Sequence, residues 1–152
     1  MLILISDEFA PNLPEKLSRF GNITDDKEKL SEATIVLVRS KTKVTKEYID
    51  SAPNLKLVIR GGVGLDNIDL NYADEKGITI HNTAAASSIA VAELAFALMI
   101  ALPNHVTKAD RAMCAGQWIK KELKRTELFQ KTLGIVGFGR IGTELAKRAT
   151  AF

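Results

Sequence analysis

Short apolar runs, separated by polar stretches rich in turn residues, recur through the first eighty residues: Met1 to Ile5, Thr34 to Val38, Leu55 to Ile59 and Ile78 to Ile80. Runs of this length with β-branched residues predict strands buried on both faces. Between them the periodicity changes. Leu13, Leu17 and Phe20 mark a short helix entered through Pro14 and stopped at Gly21-Asn22, and a brief strand is expected near Ile23. Asp25 to Leu30 reads as a helical turn, and Val44 to Ile49 and Leu70 to Glu75 as further helices. Strands alternating with helices over short loops predict βαβ units and a parallel sheet covered on both faces, with Met1 to Ile5 as its central strand.

A different pattern begins after Ser87-Ser88, a pair suited to capping a helix. From Ile89 to Leu102 the chain is apolar nearly all round. Such a helix is expected to be buried on every face, between domains or between subunits. Pro103 and Asn104 break it, and a more polar helix is predicted from His105 to Ala115, ended by Gly116. Trp118 is expected to anchor the segment onto a core, and Cys114 to be a buried or half-buried filler.

The last stretch carries the most specific motif. Thr132 to Val136 reads as a buried strand, followed by Gly137, Gly139 and Gly142 at G-x-G-x-x-G spacing. The first glycine permits a tight turn, the second lets a pyrophosphate approach the backbone, and the third lets the next helix pack closely. Ile141, Leu145 and Ala149 recur at helical spacing, so the N–H groups and positive dipole end of that helix would face phosphate. A dinucleotide fold also calls for an acidic residue about 20 positions further on, beyond Phe152. The expectation is therefore the entrance to a cofactor domain without its remainder.

Composition narrows the classes. With 21 Lys and Arg against 18 Asp and Glu, the net charge of +3 is small. The cations are spread out except at Lys120 to Arg125, which reads as a solvated helix face, so no nucleic-acid partner is expected. The longest apolar run, Leu94 to Leu102, is too short for a bilayer, which needs about 20 residues, and no membrane partner is expected. A single cysteine and an apolar opening strand in place of a leader favour a cytoplasmic setting.

In parallel sheets ligands sit beyond the carboxyl ends of the strands. Three loops therefore matter. Arg39-Ser40-Lys41-Thr42-Lys43 offers hydroxyls and cations, and Arg60-Gly61-Gly62-Val63-Gly64 could converge backbone N–H groups on an anion. His81 to Ser88 is small and polar. Glu93 is read as favouring the helix dipole, and His81 and His105 as solvated or packed rather than catalytic.

Together, Val38 to Thr45, Arg60 to Asp69, Val91-Ala92-Glu93, Gly116-Gln117-Trp118 and Thr132 to Gly142 resemble the D-2-hydroxyacid dehydrogenase family, over its amino-terminal half. The resemblance implies an α/β protein: a flavodoxin-like, parallel-sheet substrate domain over residues 1–87, then the start of an NAD-binding Rossmann domain over 88–152. It implies an interdomain helix contributing to a homodimer through the 88–118 region. The implied reaction is reversible hydride transfer between NAD and C2 of a 2-hydroxy acid, here a phosphorylated one. By the same resemblance Gly61, Gly62, Val63 and Gly64 hold the substrate carboxylate. Arg39, Ser40 and Arg60 reach toward its phosphate or carboxylate end, and Val63 and Val91 touch the nicotinamide. Gly137, Phe138, Gly139, Arg140, Ile141 and Gly142 take the pyrophosphate. The family's arginine, glutamate and histidine that do the chemistry have no counterpart in this chain, so no catalytic residue is assigned and turnover by the chain alone is not expected.

One departure from the family's pattern bears on the substrate. Thr83-Ala84-Ala85-Ala86-Ser87 stands where Pro, Gly and Asn are frequent in members acting on phosphorylated acids, with Ser87 a shorter group in place of a substrate-contacting amide. Two alternatives accompany the leading one: a reductase of unphosphorylated 2-oxo acids such as glyoxylate or hydroxypyruvate, and a non-catalytic, NAD-sensing or dimerising module.

Overall fold

A computed structural model describes all 152 residues, which separate into two compact units, Met1–Ala86 and Ser87–Phe152. The first holds five strands: β1 (Leu2–Ile5), β2 (Asn22–Thr24), β3 (Ile35–Val38), β4 (Leu57–Arg60) and β5 (Thr79–Asn82). They form one sheet in the order β2-β1-β3-β4-β5, every neighbouring pair parallel. This is the flavodoxin-like order. The central strand is β3 rather than the opening strand, because the chain crosses back after β2 to lay β3 on the other side of β1.

Register explains the apolar pattern. Leu4, Val36, Val58 and Ile80 stand side by side across the sheet. They pack with Ile49, Ala52, Leu55, Ala73 and Ile78 in one buried cluster. Each fully buried Val or Leu contributes roughly 1.5–3 kcal/mol, which makes this row the main source of the unit's stability. Short helices α1 (Leu13–Leu17), α2 (Lys46–Asp50) and α3 (Leu70–Glu75) complete the crossovers. The Thr45 side chain accepts from Tyr48 N–H at 3.3 Å and Asp69 from Tyr72 N–H at 3.0 Å, so both α2 and α3 start on side-chain caps. Asp25 to Leu30 is not α-helical; a 3-10 segment, Lys27–Glu32, stands there, entered at Asp26. Val44, read as the start of a helix, instead bridges to Ile68, exchanging backbone hydrogen bonds with Asn67 and Asp69 of 2.8 and 2.9 Å.

The second unit contains α4 (Ser88–Ala101), α5 (Val106–Cys114) and α6 (Arg140–Ala151). The strand expected at Thr132 to Val136 is not formed. A strand exists by pairing, and this unit presents no other strand for it to pair with. Val136 and Phe138 are consequently exposed. Helix α4 is also not buried on every face, since Ile89, Leu94, Leu98 and Leu102 are 54–79% exposed. Ser87 occupies the N-cap position without a side-chain cap hydrogen bond, its backbone being already helical rather than extended. Trp118 is 75% exposed and anchors no core, and Cys114 is exposed rather than a filler. No single helix is long and apolar enough to cross a membrane.

Candidate substrate and cofactor sites

Because all five strands run the same way, the loops after β1, β3, β4 and β5 emerge along one edge of the sheet. Asp7, two residues past the end of β1 at Ile5, reaches the loop after β3. Its carboxylate accepts the Arg39 N–H at 2.5 Å, the Thr42 N–H at 3.2 Å and the Thr42 hydroxyl at 2.7 Å. Burial alone would raise its pKa, but these hydrogen bonds and the charge of Lys27 outweigh it and hold Asp7 below the ordinary carboxylate range. Asn67 secures the same loop from the other side, donating from Nδ2 to the carbonyls of Arg39 and Thr42, each at 2.7 Å. Arg39 itself is exposed and donates from Nη1 to the Glu8 carbonyl at 3.2 Å. Ser40 lies exposed on the same loop.

The turn after β4 is narrower as an anion site than three glycines suggest. Gly61 N–H is given to the Val38 carbonyl at 2.8 Å and Gly62 N–H to the Arg60 carbonyl at 2.9 Å, so neither points at a ligand. The N–H groups of Val63 and Gly64 carry no such bond, and both residues are exposed. The turn is held from β5: Asn82 Nδ2 donates to the Val63 carbonyl at 2.6 Å, and Thr83 N–H to the carbonyls of Arg60 and Gly62, each at 3.2 Å. Gly62 has φ +155, and a Cβ there would overlap Arg60 Nη1. The Arg60 guanidinium thus lies against its own turn, half-buried, and its Nε has no protein partner.

Arg39, Arg60 and Gly61 to Gly64 therefore stand together at the ends of β3 and β4. A Cβ on Gly61 would lie 2.6 Å from Phe9 Cε1 and 3.4 Å from Arg39 Cγ. Asp7, Phe9, Asn67 and Asn82 were not singled out from the sequence, although Asp7 and Asn82 stand at or just past the carboxyl ends of β1 and β5, a position that could have drawn attention to them. His81 is exposed on β5, and His105 Nε2 is 3.0 Å from the Lys124 carbonyl. Neither stands in a catalytic arrangement.

In the second unit the glycine fingerprint has the backbone geometry its spacing predicts. Gly137 has φ +89, and Gly139 is the N-cap of α6, whose Thr143 N–H returns to the Gly139 carbonyl at 2.9 Å. No atom lies within 4 Å of a Cβ built on Gly137 or Gly139, which leaves open space beside the turn. A Cβ on Gly142 would stand 2.5 Å from the Gly137 carbonyl oxygen, so the helix is close-packed there. The free N–H groups of the first turn, at Arg140 and Ile141, and the open space fit a pyrophosphate. Phe138 and Arg140 are exposed, Ile141 is half-buried, and Val91 is exposed on α4. Glu93 stands in the second turn of α4 and pairs with Arg148 of α6 at 2.9 Å, a partner that accounts for it better than the helix dipole does. Arg148 also holds Glu144, and these carboxylates raise its pKa, Glu93 contributing most.

Residues 5–148 match the family model described as D-isomer specific 2-hydroxyacid dehydrogenase, catalytic domain. The chain belongs to this family. NAD is the family's cofactor. Hydroxypyruvate reductase of Thermotoga maritima is 51% identical over 81% of this chain and 40% of its own length. D-3-phosphoglycerate dehydrogenase of Methanocaldococcus jannaschii is 48% identical over 82% of this chain and 24% of its own. Among solved structures, the D-lactate dehydrogenase of Aquifex aeolicus complexed with NAD and lactic acid matches with a TM-score of 0.84. It is 27% identical, over 99% of this chain and 48% of that one. The chain thus spans less than half the length of each of these relatives.

Proposed function

We propose that this chain is the amino-terminal, substrate-binding part of a cytoplasmic, NAD-dependent D-2-hydroxyacid dehydrogenase, and that its acid is 3-phosphoglycerate. The product would be 3-phosphohydroxypyruvate, the first step towards serine. The observation carrying this reading is the meeting of two guanidinium-bearing strand ends, Arg39 and Arg60, with a glycine turn that keeps two N–H groups free. In this reading the Gly61–Gly64 turn holds the carboxylate through Val63 and Gly64 N–H, and Arg39, Ser40 and Arg60 take the phosphate. Two guanidinium groups suit a dianionic phosphate through paired, charge-assisted hydrogen bonds.

NAD, when bound, supplies the hydride acceptor for C2. The first unit, residues 1–87 in this reading, orients the acid. The second, from residue 88, offers the Gly137–Gly142 turn to the pyrophosphate and Val91 to the nicotinamide. No residue of this chain is assigned the proton transfer. A homodimer through the 88–118 region belongs to the same proposal, supported by the exposed apolar face of α4.

A second reading, reduction of unphosphorylated hydroxypyruvate or glyoxylate, is favoured by the 51% identity to a hydroxypyruvate reductase. Titration calorimetry of the chain with 3-phosphoglycerate and with D-glycerate separates them. The leading reading expects at least tenfold tighter binding of the phosphorylated acid, with the preference lost in Arg39→Ala. Equal affinities would select the second reading.

A further inference from the structure

We propose that Asp7 is a positioning residue for the acid's phosphate end, fixing where Arg39 stands by gathering the backbone of the Arg39–Thr42 loop onto one carboxylate. The inference rests on the substrate site proposed above and adds a residue that touches no substrate itself. Four observations carry it. Asp7 accepts three hydrogen bonds from two residues of that loop, 32 and 35 positions away in sequence. Its neighbour Glu8 accepts from the Arg39 guanidinium, so backbone and side-chain head of Arg39 are both held from the turn after β1. Asn67 closes the loop from the opposite side through the two carbonyls of the same residues. Phe9, two residues on, abuts Gly61, which puts the Asp7–Phe9 turn in contact with both halves of the site.

A carboxylate has about four lone-pair sites and no donor, so it satisfies two amides and a hydroxyl at once. The Arg39 and Thr42 amides share Oδ2 while the Thr42 hydroxyl meets Oδ1, so an asparagine at position 7 keeps its single oxygen on the amides only as a neutral acceptor, with its NH2 turned to the Thr42 oxygen. The charge that strengthens all three ties is then lost. Because a long side chain on a loose loop gives up more entropy on binding, the effect falls on the end of the ligand that Arg39 meets and spares the end held by the glycine turn.

The test uses the 152-residue chain and its Asp7→Asn and Thr42→Val variants, followed by 15N NMR with amide hydrogen exchange and titration with 3-phosphoglycerate and D-glycerate. In Asp7→Asn the Arg39 and Thr42 amides are expected to exchange at least tenfold faster, while the amides of Leu37 and Val58 keep their protection and so certify the fold. Affinity for 3-phosphoglycerate is expected to fall about tenfold and that for D-glycerate to change less than twofold. Thr42→Val, which keeps the shape and removes only the hydroxyl donor, is expected to fall between. Equal loss for both acids, or unchanged exchange at Arg39 and Thr42, overturns the inference. Should Asp7→Asn lose core protection, Thr42→Val decides alone: unchanged Arg39 exchange and an unchanged preference overturn it. Absence of any shift in the wild type with either acid instead overturns the substrate reading on which it stands.

Discussion

The ring of Phe9 occupies the space that a side chain at position 61 would need, with Cε1 2.6 Å from the site of a Cβ. Gly61 N–H is already committed to Val38, so the turn cannot swing away without breaking a 2.8 Å hydrogen bond at the end of β3 and β4. Gly61→Ala is therefore expected to destabilise the first unit by about 1–3 kcal/mol, the usual effect of overpacking. A lower urea midpoint at unchanged slope would show it. An unaltered midpoint would mean that Phe9 yields freely and does not brace the turn.

At Gly62 two costs combine. Its φ of +155 lies where side chains are rarely found, and a Cβ would meet the Arg60 guanidinium. Backbone strain of this kind costs roughly 1–3 kcal/mol. Gly116, with φ +71 and nothing within 4 Å, bears only the conformational part. Gly62→Ala is expected to lower the melting temperature more than Gly116→Ala does. Adding Arg60→Ala to Gly62→Ala should recover part of the loss, a coupling that two independent sites would not show. Strict additivity would place the guanidinium elsewhere.

The acid limb of stability should carry the signature of Asp7. Its folded pKa lies below the ordinary carboxylate range, because burial, which would raise it, is outweighed by hydrogen bonds from Thr42 and Arg39. A depressed carboxylate contributes stability that is fully present above the unfolded pKa and is lost as pH falls through the folded one. Wild-type stability is thus expected to decline below about pH 4, and Asp7→Asn to flatten that decline while leaving the protein less stable at neutral pH. Urea midpoints at pH 2.5, 4 and 7 test it. Parallel acid limbs in the two proteins would show that the carboxylate is not coupled to folding.

The sheet was legible because its inner strands β1, β3 and β4 are apolar runs, buried at most positions in β1 and β3, whereas the outer β2 and β5 hold no buried residue; the predicted ends moved by only a residue or two. Val44 looked helical because Val44 and Ile49 suggest a helical face, yet the helix waits for its cap at Thr45. The run at Thr132 to Val136 has strand composition but no ladder partner, and composition cannot report pairing. Trp118 and Cys114 were misplaced for a related reason: apolar character predicts burial only where something is available to cover it. In the site, the cationic and glycine loops were readable from their place after strands. The ties that shape them were not, since Asp7 to Thr42 and Asn82 to Val63 join residues far apart without any periodic signal. Backbone bonds to the Val38 and Arg60 carbonyls also changed the chemistry, committing the Gly61 and Gly62 N–H groups inside the turn and leaving those of Val63 and Gly64 uncommitted.

On α4 and its C-cap, Leu94, Leu98 and Leu102 recur every fourth residue, 61%, 59% and 79% exposed, forming one apolar stripe. Burying a leucine contributes roughly 1.5–3 kcal/mol, so a stripe of this kind left in water favours association. A second copy of the chain presents the same stripe, and a two-fold arrangement would cover both at once. The chain is therefore expected to dimerise in solution, and Leu98→Glu to shift it to monomer by placing a charge at the centre of the stripe. Light scattering over a hundredfold range of concentration reads the outcome, and Lys131→Glu, at an exposed position outside the 88–118 region, controls for the added charge alone. A wild type that stays monomeric at the highest concentration would sink the dimer proposal and leave the stripe without an occupant of its own kind.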